Sequence, residues 1–276
     1  MPEPASAWAV SPQVDITRPS VARVYDAILG GADNYEVDRA VLRAILTVWP
    51  DAVLTARDNR EWLVRVTRFL ASQANITQFL DLGSGLPTVE NTHQVAQRTN
   101  REATVVYVDN DPLVLDHGRA ELAENSRAHL VAADLTKPAD VLNHPDVLRH
   151  LDFSRPVALY QIGTLHHCPD ADGIRAFMRT YLDALAPGSY VAISHFHNPG
   201  PGADGTAAEQ MERVMAHGPM GSGHFRSRAD IESFFGDCEL VDPGLVSPSG
   251  WWPDGPRKKL LGRSQRLLMA GLGRRT

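Results

Sequence analysis

Three acids are spaced for one kind of chemistry. Asp81 lies two residues ahead of Gly83-Ser84-Gly85, Asp109 closes the run Thr104-Val105-Val106-Tyr107-Val108, and Asp134 follows His129-Leu130-Val131-Ala132-Ala133. Each ends a short apolar segment of the kind that forms a buried parallel strand. Open parallel sheets bind ligands beyond the carboxyl ends of their strands. There Asp81 is placed to hold the glycine turn or to accept from a ligand amine. Asp109, with Asn110 beside it, offers two acceptor oxygens to the paired hydroxyls of a ribose. Asp134-Leu135 suits an adenine edge, the carboxylate accepting from the exocyclic amine while apolar groups pack on the ring. Each acid also has a purely structural role open to it: Asp111 as the functional acid of its segment through an N-cap ahead of Pro112, Asp134 as a cap before Pro138. Three acids in phase on successive strands, together with a glycine turn, describe a nucleotide-type site.

The elements that must position these acids follow from periodicity. Val21, Val24 and Ile28 set a first helix that Gly30-Gly31 stops. A second, capped by Asp33 or Asn34, runs through Val37, Val41, Leu42 and Ile45 to Trp49, and Pro50 closes it. A third spans 58–72 with Trp62, Val66, Phe69 and Leu70 on one face, and 1–19 reads as an extended arm. From 78 onward, strands (78–82, 104–108, 129–133, 157–162, 190–194) alternate with helices (88–99, 113–125, 138–148, 174–185). That alternation predicts a parallel sheet covered on both faces. Helices near 207–215 and 229–235 follow a turn-rich loop at 198–202. Strands at 239–241 and 266–270, with no crossover helix between them, predict an antiparallel hairpin at one edge. The glycine turn feeding the 88–99 helix would aim free backbone N–H groups at an anionic ligand.

The turn also separates cofactors. A dinucleotide fingerprint needs G-x-G-x-x-G. Gly83 and Gly85 fit, but Thr88 takes the last glycine's place and Asp81 stands where dehydrogenases usually have an apolar residue. An NAD-type oxidoreductase remains the alternative enzyme reading. No Gly-Lys-Ser/Thr follows, which removes a P-loop.

At Phe79-Leu80-Asp81-Leu82-Gly83-Ser84-Gly85 the chain resembles the first motif of class I S-adenosylmethionine-dependent methyltransferases. Tyr107-Val108-Asp109 resembles their ribose-binding acid and Ala133-Asp134-Leu135 their adenine-contacting motif. Arg18-Pro19-Ser20, Arg23-Val24-Tyr25-Asp26, Leu29-Gly30-Gly31 and Asn34-Tyr35, with Asp81 to Pro87 and Trp251-Trp252, narrow the resemblance to an actinobacterial group of largely uncharacterised members. The resemblance implies a Rossmann-like α/β fold, with a mostly parallel seven-stranded sheet and an antiparallel edge hairpin. Residues 1–75 would form an arm and helical lid of the same domain as a core over 76–276. It implies S-adenosylmethionine as cofactor, bound by Asp81, Gly83, Ser84, Gly85, Asp109, Asn110, Asp134 and Leu135. Tyr25 and Tyr35 are candidates to touch the donor's methionine part, by hydroxyl or by ring face against the cation, or to pack between lid and core. Gln161 is a candidate lining residue of the donor pocket.

Candidate general bases are His166, after the fourth strand, and His195, after the fifth. Neither has the spaced partners of a zinc site. Composition bears on the acceptor. Net charge is −6, with seven basic residues and no acid over 255–276; the remainder carries 20 basic and 33 acidic groups, or −13. An acidic body argues against a nucleic-acid partner. Gln161-Ile162-Gly163-Thr164 lacks the Asn/Asp-Pro-Pro-aromatic signature of base-modifying enzymes. The expectation is methyl transfer to a small-molecule acceptor by direct in-line displacement, or donor binding without catalysis. No apolar run reaches membrane-span length, no signal peptide is evident, and Cys168 and Cys238 form no disulfide framework, which suits the cytoplasm. Oligomeric state is not legible.

Overall fold

The computed structural model describes residues 14–88, 90–255 and 260–276. Expectations that fall on 1–13, on Val89 and on the basic residues Arg257, Lys258 and Lys259 lie outside the described residues. The elements in chain order begin with three helices, α1 (Val21–Leu29), α2 (Glu36–Val48) and α3 (Ala52–Ser72). Strands and helices then alternate: β1 (Gln78–Leu82), α4 (Thr92–Thr99), β2 (Thr104–Asp109), α5 (Pro112–Leu122), β3 (Ala128–Ala132), α6 (Pro138–Leu142), α7 (Pro145–His150), β4 (Ala158–Ile162), α8 (Ala171–Ala184) and β5 (Tyr190–Phe196). The chain ends in α9 (Ala203–Met215), α10 (Arg228–Ser233), β6 (Glu239–Leu240) and β7 (Leu268–Arg274).

The strands form one seven-stranded sheet of order β3-β2-β1-β4-β5-β7-β6. The first five are mutually parallel; β7 runs antiparallel to both β5 and β6. This is the mostly parallel α/β sheet with an antiparallel edge that the sequence predicts. Strand order reverses between β1 and β4, and a crevice opens at such a reversal beyond the strand ends.

Strand alternation sorts the side chains into two cores. Leu80, Leu82, Val106, Val108, Leu159 and Ile193 pack with Ile174, Met178 and Tyr181 of α8. On the opposite face Phe79, Val105, Tyr107 and Tyr160 pack with Trp62, Val66 and Leu70 of α3 and with Trp251. The period of two puts Asp81 on this second face, toward α3 and α4. The helix α3 therefore covers the sheet. Of the helices before β1, α1 and α2 are the ones that lie over the strand ends, packing with α9 through Val24, Ile45, Trp49, Met211 and Met215.

Several boundaries differ from the sequence expectation. The helix predicted to start at Thr88 starts at Thr92, because Asn91 and Gln94 cap each other reciprocally, Asn91 N donating to Gln94 Oε1 (2.9 Å), while Thr88 N turns to the Asn91 side chain (2.9 Å) outside the helix. The predicted 138–148 helix divides in two, since Pro145 cannot continue a hydrogen-bonded turn and instead opens α7. The first turn of α3 lies six residues upstream of the predicted start, and α2 is capped at Tyr35 rather than Asp33 or Asn34. Strand β5 runs two residues past its predicted end and β7 spans 268–274 rather than 266–270, because the two pair along their whole length from Tyr190–Arg274 to Phe196–Leu268.

The N-terminal motif has structural employment. Arg23 Nε meets Asp38 Oδ2 at 2.9 Å in a buried ion pair, and Asp38 also accepts from Ser20 N (3.0 Å) and Tyr35 N (2.8 Å), tying α1 to α2. Asp26 accepts from Asn34 Nδ2 at 2.8 Å and lies so close over Gly31 that a Cβ there would meet its Oδ1 at 1.9 Å.

Candidate active site

A cavity of about 440 Å³ opens beyond the carboxyl ends of β1, β2 and β4. Its floor is polar. Asp81 is buried, its Oδ2 accepting from Thr92 Oγ1 at 2.6 Å. Burial pushes its pKa up to about 6, partly offset by the Thr92 hydroxyl and the nearby Arg60 guanidinium. Asp109 Oδ1 accepts from the backbone N–H groups of Asn110 (2.8 Å) and Asp111 (3.0 Å), and its Oδ2 from Gly85 N (2.9 Å). Burial raises the Asp109 pKa as well. Gly83, Ser84, Gly85, Asn110, Ala133 and Leu135 complete this floor.

The glycine turn works differently from the sequence expectation. Its N–H groups are not free at a helix start: Gly83 N (2.7 Å) and Ser84 N (3.3 Å) donate to Val108 O, and Gly85 N to Asp109. The two glycines are needed for shape. Both have left-handed backbones, φ 73° and 67°. A Cβ on Gly83 would stand 2.5 Å from Thr164 Cγ2, whereas one on Gly85 would project into open space. Thus Gly83 lets the β4 loop come close, and Gly85 leaves room for a ligand.

The helices close the cavity from above. Tyr25 lines it, with its hydroxyl donating to Ala56 O (3.2 Å) and accepting from Asn59 Nδ2 (3.3 Å); burial raises its pKa. Asp111 divides its oxygens. One accepts from Leu113 N at 2.9 Å as the α5 cap, and the other accepts from Ser20 Oγ, the cap of α1. Ile28, Ile45 and Trp49 continue the wall, facing Phe196, Met215 and Met220.

Four sequence candidates fall outside the cavity wall. His195 is fully buried, its Nδ1 donating to Phe196 O (2.7 Å) and its Nε2 accepting from Arg226 (3.0 Å). Burial pulls its pKa down to about 3. With both nitrogens committed, it is corrected from candidate base to a brace for Arg226, which also donates to Cys168 O (2.6 Å) and Pro169 O (3.0 Å). Tyr35 packs beside Ala22 against Leu86 and Leu113, its ring under the Arg23 guanidinium at 5.4 Å. Asp134 turns back to Thr136 N (2.9 Å) and Oγ1 (2.7 Å), the capping alternative, leaving Leu135 at the wall. Gln161 is fully buried behind Thr164, whose hydroxyl it accepts. By contrast His166, on a 3-10 turn after β4, lines the cavity stacked on Phe196 at 3.8 Å. Burial, then the neighbouring His167 and His195 imidazoles and the Arg226 guanidinium, holds its pKa well below the usual imidazole value.

Sequence reasoning missed Thr55, Asn59 and Arg60, which line the cavity from the first turns of α3. The signal was a stripe of small and polar residues at Ala52, Thr55, Ala56 and Asn59, cut off by starting the helix at Asp58. Among the described residues no cluster of His, Cys, Asp and Glu could hold a metal, and no helix is long and apolar enough to cross a membrane.

The sheet order and the polar floor at its reversal define a Rossmann-like nucleotide-binding enzyme fold. The sequence matches the family described as S-adenosyl methyltransferase over residues 7–276, and the chain belongs to that family. It is similar to a crystal structure from Thermobifida fusca YX, provisionally described as a methyltransferase, at 46% identity over 98% of this chain and 99% of that one, TM-score 0.92. It is also similar to a DUF574 family protein from Streptomyces avermitilis MA-4680, at 35% identity over 95% and 99% of the two chains, TM-score 0.88. No curated protein matches it. The protein is an S-adenosylmethionine-dependent methyltransferase, with S-adenosylmethionine as its cofactor.

Proposed function

We propose that this enzyme methylates a small molecule within the cavity between the strand ends and α1, by direct in-line displacement. The observation that carries the reading is that one cavity joins a charged, hydrogen-bonding floor to an apolar far end under the same helical roof.

The floor suits the donor's parts. We assign the ribose hydroxyls to Asp109, whose carboxylate has acceptor capacity left beyond its three backbone bonds. Asn110, Ala133 and Leu135 are assigned to the nucleoside. Asp81 and Arg60, of opposite charge on one wall, suit an ammonium and a carboxylate, and Gly85 leaves the space between. Tyr25 closes over this region. S-adenosylmethionine, when bound, supplies an electrophilic methyl that the acceptor takes in line with the departing sulfur. The chain's own contribution is to align the two and to exclude water, with α1 as the cover. An acidic body and an enclosed site favour a small molecule over nucleic acid. Two free cysteines suit a reducing cytoplasm. We read residues 1–75 as part of the same domain as 76–276, with α1 and α2 as its lid.

Calorimetric titration tests the donor assignment: S-adenosylhomocysteine binds more tightly than NADH, and the reverse order overturns it. Incubation with methyl-labelled donor and fractionated cell extract tests the acceptor class; label in a low-molecular-weight fraction is expected, and label confined to nucleic acid would refute it.

A further inference from the structure

The cavity is divided by polarity. Its charged side chains, Arg60, Asp81, Asp109 and Asp111, all belong to the donor floor and the adjoining turn of α3. The far end is walled by Ile28, Ile45, Trp49, Phe196, Met215 and Met220, with no charged side chain among the described lining residues. Trp49 is braced edge-on against Phe196 at 6.2 Å and Phe225 at 5.7 Å, which makes a rigid apolar face; the two methionines opposite adapt to shape. A charged group brought here would lose its water with no counter-charge to replace it.

Polar atoms at this wall are unsatisfied. Trp49 Nε1 and His166 Nδ1 are buried on lining residues without a hydrogen-bond partner, and both residues are 4% exposed. Buried polar groups are nearly always paired, so unpaired ones on cavity-lining residues, here as at Thr55 Oγ1 and Asn59 Oδ1 nearer the floor, are places where a small side-chain turn lets a ligand or water supply the partner. His166 is held in place by stacking on Phe196 and by His224 N, which donates to its carbonyl at 2.7 Å.

Resting on the methyltransferase reading above, we propose that the acceptor is an uncharged, largely apolar molecule bearing a hydroxyl group, seated between Trp49 and Met220, and that His166 takes the hydroxyl proton during transfer. The acceptor's O–H bond breaks toward oxygen and the proton passes to the imidazole. An oxygen electron pair forms the bond to the methyl carbon as the carbon–sulfur pair withdraws to sulfur. One positive charge is present before and after, first on sulfonium and then on imidazolium, so net charge is unchanged while the acceptor itself enters and leaves neutral. A neutral imidazole at the start is what the buried setting of His166, beside two other imidazoles and the Arg226 guanidinium, provides.

The test uses the full chain saturated with S-adenosylhomocysteine, titrated calorimetrically with 1-naphthol, naphthalene-1-carboxylate and 1-naphthylmethylamine as probes. The naphthol is expected to bind saturably and on the order of tenfold more tightly than either ion. An ion binding as tightly as the naphthol, or no naphthol binding to the loaded protein, overturns the acceptor class while leaving the donor reading intact; failure of S-adenosylhomocysteine to bind would instead sink that earlier reading. For the base, the His166 Nδ1 resonance is expected to shift with naphthol and not with naphthalene. Methyl transfer to naphthol in His166→Ala is expected to fall about 100-fold with homocysteine-nucleoside binding reporting an intact fold. An unshifted resonance, an undiminished rate, or no labelled naphthyl ether from the wild-type protein removes His166 from the chemistry.

Discussion

The floor and the roof of the cavity are built on different physical terms. The floor is backbone and carboxylate at the ends of parallel strands, its groups held by hydrogen bonds within and between the strand-end turns, Asp109 to Asn110 N and Asp111 N on one side and to Gly85 N on the other. The roof is side-chain packing between helices far apart in sequence, fastened by a few polar links such as Arg23–Asp38 and Ser20–Asp111. One half is thus specified by short motifs and the other by tertiary contact. In the function proposed above, the floor takes the nucleotide-like donor, while the roof and far wall set what else can enter.

The comparison can be broken most forcefully at the roof. Removing Arg23 leaves Asp38 as an unpaired buried charge, so Arg23→Ala is expected to lower stability by about 3–5 kcal/mol, read as a shift in the urea midpoint. A loss below about 1 kcal/mol would show that the roof does not depend on this pair. On the floor, Asp109→Ala should weaken S-adenosylhomocysteine binding by about 2 kcal/mol, roughly 30-fold, through lost charge-assisted hydrogen bonds. Unchanged affinity by calorimetry would take Asp109 out of the site.

Acidity sharpens the contrast further. Burial raises the folded pKa of Asp81 to about 6 from the ordinary carboxylate value of 3.8, so the native state holds a proton that the unfolded chain gives up in between. Its contribution to stability is therefore greatest at low pH and declines as pH rises through that window. An ammonium partner favours the carboxylate, so donor affinity runs the other way. Between pH 7.5 and pH 5 it is expected to fall about tenfold, and Asp81→Asn should flatten the dependence. A steep dependence persisting in that variant would assign it elsewhere. The smallest effect belongs to a roof residue away from the cavity wall: Tyr35→Phe should change donor affinity by less than about 0.5 kcal/mol, and a larger loss would return Tyr35 to the site.

This division explains what could be read from the chain. The alternation of strands and helices, the antiparallel edge and the floor acids Asp81 and Asp109 are local patterns, and periodicity exposes them. The helix start at Thr92 was misread because Pro87 and Thr88 resemble a first turn, while the Asn91–Gln94 reciprocal cap that decides it lies further on. Asp134 and Gln161 sit at the right strand ends, but side-chain direction is set by Thr136 and Thr164, a matter of one rotamer rather than of spacing. His195 and His166 are indistinguishable as sequence, each following a strand. Only packing shows one committed to Arg226 and the other at the cavity wall. Trp49, Phe196 and Met215 meet from three distant segments, and no pattern along the chain announces that meeting.

Asp111 gives the enzyme a way to open without wear. One of its oxygens stays on Leu113 N while the other holds Ser20. Were α1 to lift from the strand ends, only the Ser20 hydroxyl would need replacing by water, and α5 would keep its cap. Opening at this point would then cost one exchanged hydrogen-bond partner and leave the α5 terminus intact.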